Sequence, residues 1–184
     1  MTRMVLSDPG TAIGEAADIL EQVMTEFGTI PNVFKLLAIS PALLGTYASA
    51  TQSLEAGTLP ARVRELIAVA IASDNACEYC LAAHAAGGRA AGLNAEELEA
   101  ATRFTASDDT EGAALTFVRA AIDTAGNVSD ERLEQVRAAG WSDPAILEML
   151  GHIALNQLTN MANRLVDTPN DMPKHTLKPK GRIT

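Results

Sequence analysis

A helical hydrophobic period runs through most of this 184-residue chain and constrains its fold class more than any other feature. Apolar residues recur at spacings of three and four, and no run of alternating β-branched residues is long enough to predict a strand. In the first such segment, residues 11–27, the period places Ile13, Ala17, Leu20 and Met24 on one face. The pattern predicts an all-α fold of seven to nine helices.

Proline, glycine and capping residues divide this pattern into separate helices. Pro60 is typical of a first helical turn, and Asn94 with Glu97 resembles a capping box. Asp143 followed by Pro144 predicts the N-cap and first residue of the last helix. The predicted helices cover residues 11–27, a short stretch after Pro31 through Leu37, 41–56, 61–74, 77–91, 94–104, 111–125, 129–139 and 143–166.

The length of the chain fits one domain with a proper core. We expect a single helical domain over residues 1–166. The remaining residues, 167–184, contain Pro169, Pro173 and Pro179, so we expect them to form an extended tail. The sequence contains no internal repeat and no low-complexity linker that would indicate a second domain.

The charge balance excludes several classes of partner. The chain has 23 acidic and 14 basic residues, for a formal net charge of −9, and aromatic residues make up only 4%. Nucleic acids and anionic membrane surfaces need clustered Lys and Arg, and base stacking needs aromatic side chains. We therefore expect neither a nucleic-acid partner nor a membrane partner.

The amino-terminal residues lack the apolar stretch of a secretory signal. The longest uncharged run, residues 36–54, is interrupted by Pro41 and Gly45, which does not fit a bilayer span. Two cysteines in such a chain indicate a compartment where structural disulfides are disfavoured. We expect a cytoplasmic protein.

One segment carries groups suited to redox chemistry. Cys77, Cys80 and His84 are separated by three and four residues, so they lie along one stripe of a predicted helix. A helix N-terminus favours thiolate over thiol, and a neighbouring imidazole can accept the thiol proton. Glu65, in an apolar stretch one helix earlier, could orient that imidazole. The position at the helix start alone favours Cys77 as the more reactive thiol.

The spacing of these four residues, Glu-x11-Cys-x2-Cys-x3-His, resembles the signature of the AhpD-like alkylhydroperoxidases within the carboxymuconolactone decarboxylase superfamily. The segment 154–160 and the later Asp171-Met172-Pro173 resemble the peroxidase-related branch of that family. The resemblance extends over about residues 31–173. It implies an all-helical, AhpD-like fold that assembles into homotrimers or homohexamers.

The resemblance also implies an activity, which is reduction of organic hydroperoxides or hydrogen peroxide by a redox-active cysteine pair. Cys80 would attack the peroxide, Cys77 would resolve the product as a disulfide, and His84 with Glu65 would relay the proton. An external dithiol, such as a lipoyl-domain or thioredoxin-like protein, would restore the pair, and no cofactor is implied. Founding members carry a second His at the position of Tyr79.

Other interpretations of the same residues remain open. The cysteines could be half of a zinc site, with His152 and His175 as distant donors, or an inert buried pair. Glu65 could instead pair with Arg62 or Arg64 on its own helix. At the level of function, the alternatives are a lactone decarboxylase-type enzyme of the same superfamily and a non-catalytic, redox-sensing helical oligomer.

A polar stripe marks the last predicted helix, where His152, Asn156, Asn160 and Asn163 recur at spacings of four, four and three. Such a stripe predicts either an interhelical hydrogen-bond network or part of a substrate pocket. We take His152 and Asn156, together with Tyr79, as candidates for the pocket.

Overall fold

The structure is a computed structural model that describes residues 2–180. Within that range it contains nine α-helices, one short 3-10 helix (Pro9–Thr11) and no strand, which confirms the predicted all-α class and helix number. The helices are α1 (Glu15–Phe27), α2 (Asn32–Leu37), α3 (Pro41–Glu55), α4 (Ala61–Asp74), α5 (Glu78–Ala90), α6 (Ala95–Ala101), α7 (Asp109–Asp123), α8 (Asp130–Ala138) and α9 (Asp143–Val166).

Helix α4 lies at the centre of the fold. Every residue from Leu66 to Asp74 is buried, as expected for a helix that is almost uniformly apolar over that stretch. It packs against α5, α9, α6 and α7, and their buried side chains form the larger of two hydrophobic clusters. A side chain at the first turns of α4, such as Glu65, is therefore held against α5 by a rigid core.

The smaller cluster joins α1 to α2 and α3, and of the four residues predicted to share the apolar face of this segment only Leu20 is buried. Ala16, Leu20 and Val23 are the buried residues of α1, whereas Ile13 is 86% exposed. The helix begins at Glu15 and not at residue 11, because Gly14 has a φ of +60° that interrupts the helical backbone. Ile13 consequently lies outside the helix, and the apolar face is turned away from the predicted one.

The capping box predicted at α6 is confirmed. The Asn94 side chain accepts from the backbone N–H of Glu97 at 3.0 Å, and the Glu97 carboxylate accepts from the N–H of Asn94 at 2.8 Å. The helix ends at Ala101 and not at Phe104, where the backbone turns with a φ of +57°.

The N-cap predicted for α9 is wrong by one residue. Ser142 is the N-cap, and its hydroxyl accepts from the N–H of Ala145 at 3.4 Å. Asp143 is the first helical residue, and its carboxylate pairs with Arg137 at 2.8 Å. Serine is as good an N-cap as aspartate, so the pattern alone did not separate the two.

Residues 167–180 follow α9 without further helix, and we call them the C-terminal strap. The Asp171 carboxylate accepts from the backbone N–H of Asn32 at 2.9 Å, and Leu177 is buried in the main core. The N–H of Lys180 donates to the Ser73 hydroxyl at 3.1 Å. The last four residues of the predicted tail, 181–184, lie outside the described residues.

None of the helices in residues 2–180 has both the length and the hydropathy needed to span a bilayer.

Ile67 offers a direct test of the central position of α4. Ile67→Ala should lower the free energy of unfolding by about 2–5 kcal/mol, because this fully buried side chain leaves a cavity when truncated. The matched change Ile13→Ala, at an exposed site, should alter it by less than about 0.5 kcal/mol. Urea unfolding followed by circular dichroism measures both, and equal effects would contradict the packing described here.

Candidate redox site

A tight connection between α4 and α5 places the two cysteines. After Asp74 the chain turns at Ala76, whose φ is +50°, and the N–H of Cys77 donates to the Ala72 carbonyl at 2.9 Å. Cys77 is thus the N-cap of α5, and the following helix runs back along α4. This reversal brings His84, two turns into α5, beside the first turns of α4.

Cys77 and Cys80 form a disulfide, and both residues are buried. The sulfur of Cys77 caps the helix by accepting from the backbone N–H of Cys80 at 3.3 Å. The sulfur of Cys80 accepts from the side-chain amide of Asn163 on α9 at 3.5 Å. The two sulfurs therefore have different environments: Cys77 contacts the helix terminus, and Cys80 contacts a side-chain donor.

The Glu65 carboxylate lies 3.0 Å from Nδ1 of His84. The two side chains are partly accessible, with 26% and 30% of their surfaces exposed. Because an ionised carboxylate only accepts hydrogen bonds, Nδ1 carries the hydrogen, and in the neutral imidazole Nε2 carries the lone pair. That arrangement is suited to accepting a proton at Nε2.

The alternative partners of Glu65 are engaged elsewhere. Arg62 pairs with Glu97 and with Glu111, and Arg64 donates to the Glu55 carbonyl at 2.8 Å. The carboxylate of Glu65 thus contacts His84 and does not form an ion pair with Arg62 or Arg64, and its role in catalysis stays a prediction.

Gly87 makes room for the Glu65 carboxylate. A Cβ atom built at residue 87 would lie 2.6 Å from one carboxylate oxygen of Glu65 and 2.9 Å from the other, closer than real Cβ contacts allow. The absence of a side chain at residue 87 therefore leaves the space that the Glu65 carboxylate occupies when it contacts His84.

A cavity of about 150 Å³ opens beside this pair, among helices α3, α4, α5 and α9. His152 and Asn156, two of the three predicted pocket residues, line it together with Glu65 and His84. The other lining residues are Tyr47, Thr51, Glu55, Ala61, Arg64, Ala68, Leu155 and Thr159. We call this space the relay cavity.

His152 contributes a neutral imidazole to the relay cavity. Burial of the ring lowers its pKa below the ordinary value of 6.5, and the positive charge of Arg64 acts in the same direction. Its Nε2 atom is buried without a hydrogen-bond partner in residues 2–180. Asn156 donates to the His152 carbonyl at 2.9 Å, so its amide nitrogen is used within α9.

Tyr79, the third predicted pocket residue, does not line the relay cavity. Its hydroxyl donates to Asp171 at 2.9 Å and accepts from the N–H of Val33 at 3.1 Å. Burial raises its pKa above the ordinary value of 10, so the phenol stays protonated. Tyr79 fastens the C-terminal strap to the start of α5 and lies beside Cys77, on a different cavity.

The polar stripe of α9 forms an interhelical network as well as part of the cavity wall. Asn160 is completely buried, and its side-chain oxygen accepts from Asn75 at 3.3 Å. Asn163 reaches the disulfide, as described above. Asn160 and Asn163 thus make contacts between helices, whereas His152 and Asn156 lie on the cavity wall, and binding of substrate there stays a prediction.

The sequence did not identify five polar or charged residues of the cavity wall, which are Tyr47, Thr51, Glu55, Arg64 and Thr159. Tyr47, Thr51 and Glu55 recur at a spacing of four, which predicts a polar stripe on α3. Nothing in the sequence indicated that this stripe packs beside Glu65. Within the described part of the chain, no group of three His, Cys, Asp or Glu side chains is arranged to hold a metal ion.

Gly87→Ala tests what holds the Glu65–His84 pair. The new methyl group should displace the carboxylate from His84, whereas the fold should persist because alanine is the better helix former. The ¹⁵N chemical shifts of the two ring nitrogens of His84 should then no longer indicate that the hydrogen is mainly on Nδ1. Gly112→Ala, whose Cβ would meet only a carbonyl at 3.7 Å, is the matched control and should leave the spectrum unchanged.

His152 should make stability depend on pH. Its pKa is lowered in the folded protein, so below about pH 6.5 the unfolded chain binds a proton that the folded protein excludes. The neutral His152 therefore makes its full contribution to the free energy of unfolding above pH 6.5. That contribution is lost as the pH falls through the pKa that His152 has in the folded protein. Urea unfolding between pH 7.5 and 5.5 should show a shallower loss for His152→Gln than for wild type. Parallel pH profiles would contradict a buried, neutral His152.

Comparison with known proteins relates this chain to one family. Residues 41–123 match the carboxymuconolactone decarboxylase family. This segment extends from the start of α3 to the end of α7 and includes Glu65, both cysteines and His84. A comparison with curated protein sequences finds no match.

Several solved structures share the fold. An alkylhydroperoxidase AhpD core, peroxidase-related protein from Ralstonia eutropha JMP134 aligns with a TM-score of 0.84 at 22% identity, over 92% of each chain. A peroxidase-related protein from Silicibacter sp. TM1040 gives 0.79 at 23% identity, also over 92% of each chain. The debrominase Bmp8 gives 0.75 at 20% identity, over 93% of this chain and 94% of its own.

The matched segment contains the residues of the site, and the fold agrees over nearly the whole chain. The chain therefore has an AhpD-like helical fold, and its residues 41–123 match the carboxymuconolactone decarboxylase family.

Proposed function

We propose that the protein is a thiol-dependent peroxidase that reduces organic hydroperoxides or hydrogen peroxide through the Cys77–Cys80 couple. The observation that carries this proposal is the disulfide at the start of α5, one turn before an imidazole bound to a carboxylate at 3.0 Å. The peroxidase-related proteins that share the fold support the same class of activity.

Cys80 is the better placed of the two thiols to react first. It precedes His84 by four residues, so the two side chains lie on one face of α5, whereas Cys77 is the N-cap and lies a further turn away. The Asn163 amide donates to the Cys80 sulfur and would stabilise its thiolate. These contacts favour Cys80 over the assignment that the helix terminus alone suggests.

In the reduced protein, Nε2 of His84 takes the proton of the Cys80 thiol, and Glu65 stabilises the resulting imidazolium. The thiolate attacks the terminal oxygen of the hydroperoxide, and the O–O bond breaks. Cys80 becomes a sulfenic acid, and the leaving alkoxide takes the proton from His84 as an alcohol, or as water when the oxidant is hydrogen peroxide.

The second step forms the disulfide that the structure contains. The Cys77 sulfur attacks the sulfenic sulfur of Cys80, an S–S bond forms, and the hydroxyl leaves as water with the proton of Cys77. An external dithiol then returns two electrons to the pair. We propose further that the reductant is an external dithiol and that the protein assembles into trimers or hexamers.

The relay cavity is the proposed route for the oxidant. Its volume of about 150 Å³ suits a small hydroperoxide, and it contacts Glu65 and His84 directly. Burial lowers the pKa of His152, which therefore adds a neutral polar group to the wall of this cavity.

Peroxide turnover with each cysteine variant tests the proposal. Purified wild-type protein should consume cumene hydroperoxide with a dithiol present, and Cys80→Ser should lower the rate at least 100-fold. Glu65→Gln should lower it about 10- to 100-fold, since general acid–base catalysis contributes factors of that order or more. Equal rates of hydroperoxide consumption for Cys80→Ser and wild type would contradict the proposal.

Cys77→Ser is the matched control for the order of attack. It should still be oxidised once by peroxide, and dimedone should trap a sulfenic acid at Cys80, detected by mass spectrometry.

Oxidation of wild type without turnover at any dithiol would favour a redox sensor. Decarboxylation of a lactone that survives alkylation of both thiols would favour the decarboxylase class, and a bromopyrrole belongs in the substrate panel because a fold relative is a debrominase.

A further inference from the structure

A second cavity, of about 530 Å³, reaches the disulfide from a different side. It lies between the start of α5, the end of α9 and the first residues of the C-terminal strap, and we call it the strap groove. Cys77 and Asn163 line it, with Arg164, Asp167, Thr168 and Pro169.

The strap groove and the relay cavity have no lining residue in common. Cys77 is on the wall of the strap groove, whereas Glu65 and His84 are on the wall of the relay cavity. The strap groove therefore meets Cys77, which lies farther than Cys80 from His84 along α5.

Two buried polar atoms at the strap groove have no hydrogen-bond partner anywhere in residues 2–180, namely the side-chain oxygens of Asn163 and Thr168. Asn163 is only 4% exposed and Thr168 only 9%. Burial of such atoms without a partner costs free energy, so a ligand that offers hydrogen-bond donors would recover it. Asn163 is also the residue whose amide contacts Cys80.

From these observations we propose that the strap groove is the binding site for the reductant, an uncharged dithiol that carries hydroxyl or amide groups, and that this dithiol attacks Cys77. This proposal depends on the proposed function in one respect, which is that the disulfide forms when the protein reduces a hydroperoxide. The acidic side chains of Glu78 and Asp167 outnumber Arg164 at the groove, which disfavours an anionic reductant.

Exchange at this site is balanced in atoms and electrons. One thiolate of the dithiol attacks the Cys77 sulfur, the Cys77–Cys80 bond breaks, and its electron pair leaves on Cys80, next to the Asn163 amide. The second thiolate of the dithiol then attacks the mixed disulfide and releases Cys77. The dithiol is oxidised to a disulfide, and its two protons pass to Cys77 and Cys80.

A pair of matched probes tests the site without any peroxide. The oxidised full-length protein is mixed anaerobically with dithiothreitol or with 1,4-butanedithiol, which has the same carbon chain without hydroxyl groups. Alkylation and mass spectrometry then count the reduced cysteines over time. Each rate is divided by the rate at which the same dithiol reduces a small soluble disulfide, which removes differences in thiol reactivity.

Thr168→Val removes the unpaired hydroxyl at nearly constant volume. We expect it to slow reduction by dithiothreitol about fivefold, the equivalent of one hydrogen bond of about 1 kcal/mol, and to leave reduction by 1,4-butanedithiol unchanged. Thr116→Val, at an exposed site on α7, is the matched control and should change neither rate. Equal rates of dithiothreitol reduction for Thr168→Val and wild type would overturn the proposal.

A crossed measurement separates this inference from the proposed function. Thr168→Val should leave a single oxidation of the reduced protein by peroxide at the wild-type rate. Leu155→Phe, which narrows the relay cavity, should slow that oxidation and leave reduction by dithiothreitol unchanged. If the wild-type protein fails to react with any peroxide, the proposed function falls, while the reduction rates still decide whether dithiols bind at the strap groove.

Discussion

The packing of α5 against the buried helix α4 is the constraint on which the rest of the site depends. It fixes Glu65 at the edge of an apolar core, next to a glycine on α5 that leaves space for the carboxylate. The same packing directs His84 toward that carboxylate, at 3.0 Å. Because α4 is surrounded by four other helices, the carboxylate has a rigid support beside the imidazole.

Cys80 and His84 are placed by helical spacing, but the environment of the disulfide comes from elements far away in sequence. Asn163 on α9 contacts the Cys80 sulfur, and Tyr79 holds the C-terminal strap beside Cys77 through Asp171. Cys80 thus precedes His84 by about one turn of α5, and Cys77 adjoins the strap. In the account proposed here, oxidant and reductant approach a single redox pair by separate routes.

Much of the fold was predictable from local patterns, because proline, glycine and capping residues mark helix ends through backbone chemistry. The capping box at Asn94 and the start of α4 after Pro60 are examples. The face of α1 was not predictable, since it depends on where the helix begins and on its packing with α2 and α3. Gly14 decides the first of these, and its positive φ is not visible in a hydrophobic pattern.

The same distinction applies to the site. Glu65, Cys77, Cys80 and His84 lie on two consecutive helices, so their spacing was informative. Tyr79 was taken as a pocket candidate at the position where founding members of the related family carry a second His. The structure places its hydroxyl against the strap, because the residue before Cys80 points away from the His84 face of α5. The walls of both cavities combine residues from distant helices, which no local pattern brings together.

The reactivity of the two thiols at neutral pH tests the central claim, that the carboxylate–imidazole pair activates Cys80, most directly. The reduced protein is treated with limiting iodoacetamide, and mass spectrometry counts alkylation at Cys80 and Cys77 separately, in wild type and in Glu65→Gln. The account predicts that Cys80 is modified faster than Cys77 in wild type and that Glu65→Gln removes this difference. Preferential modification of Cys77, or a Cys80 rate that does not change in Glu65→Gln, would contradict it.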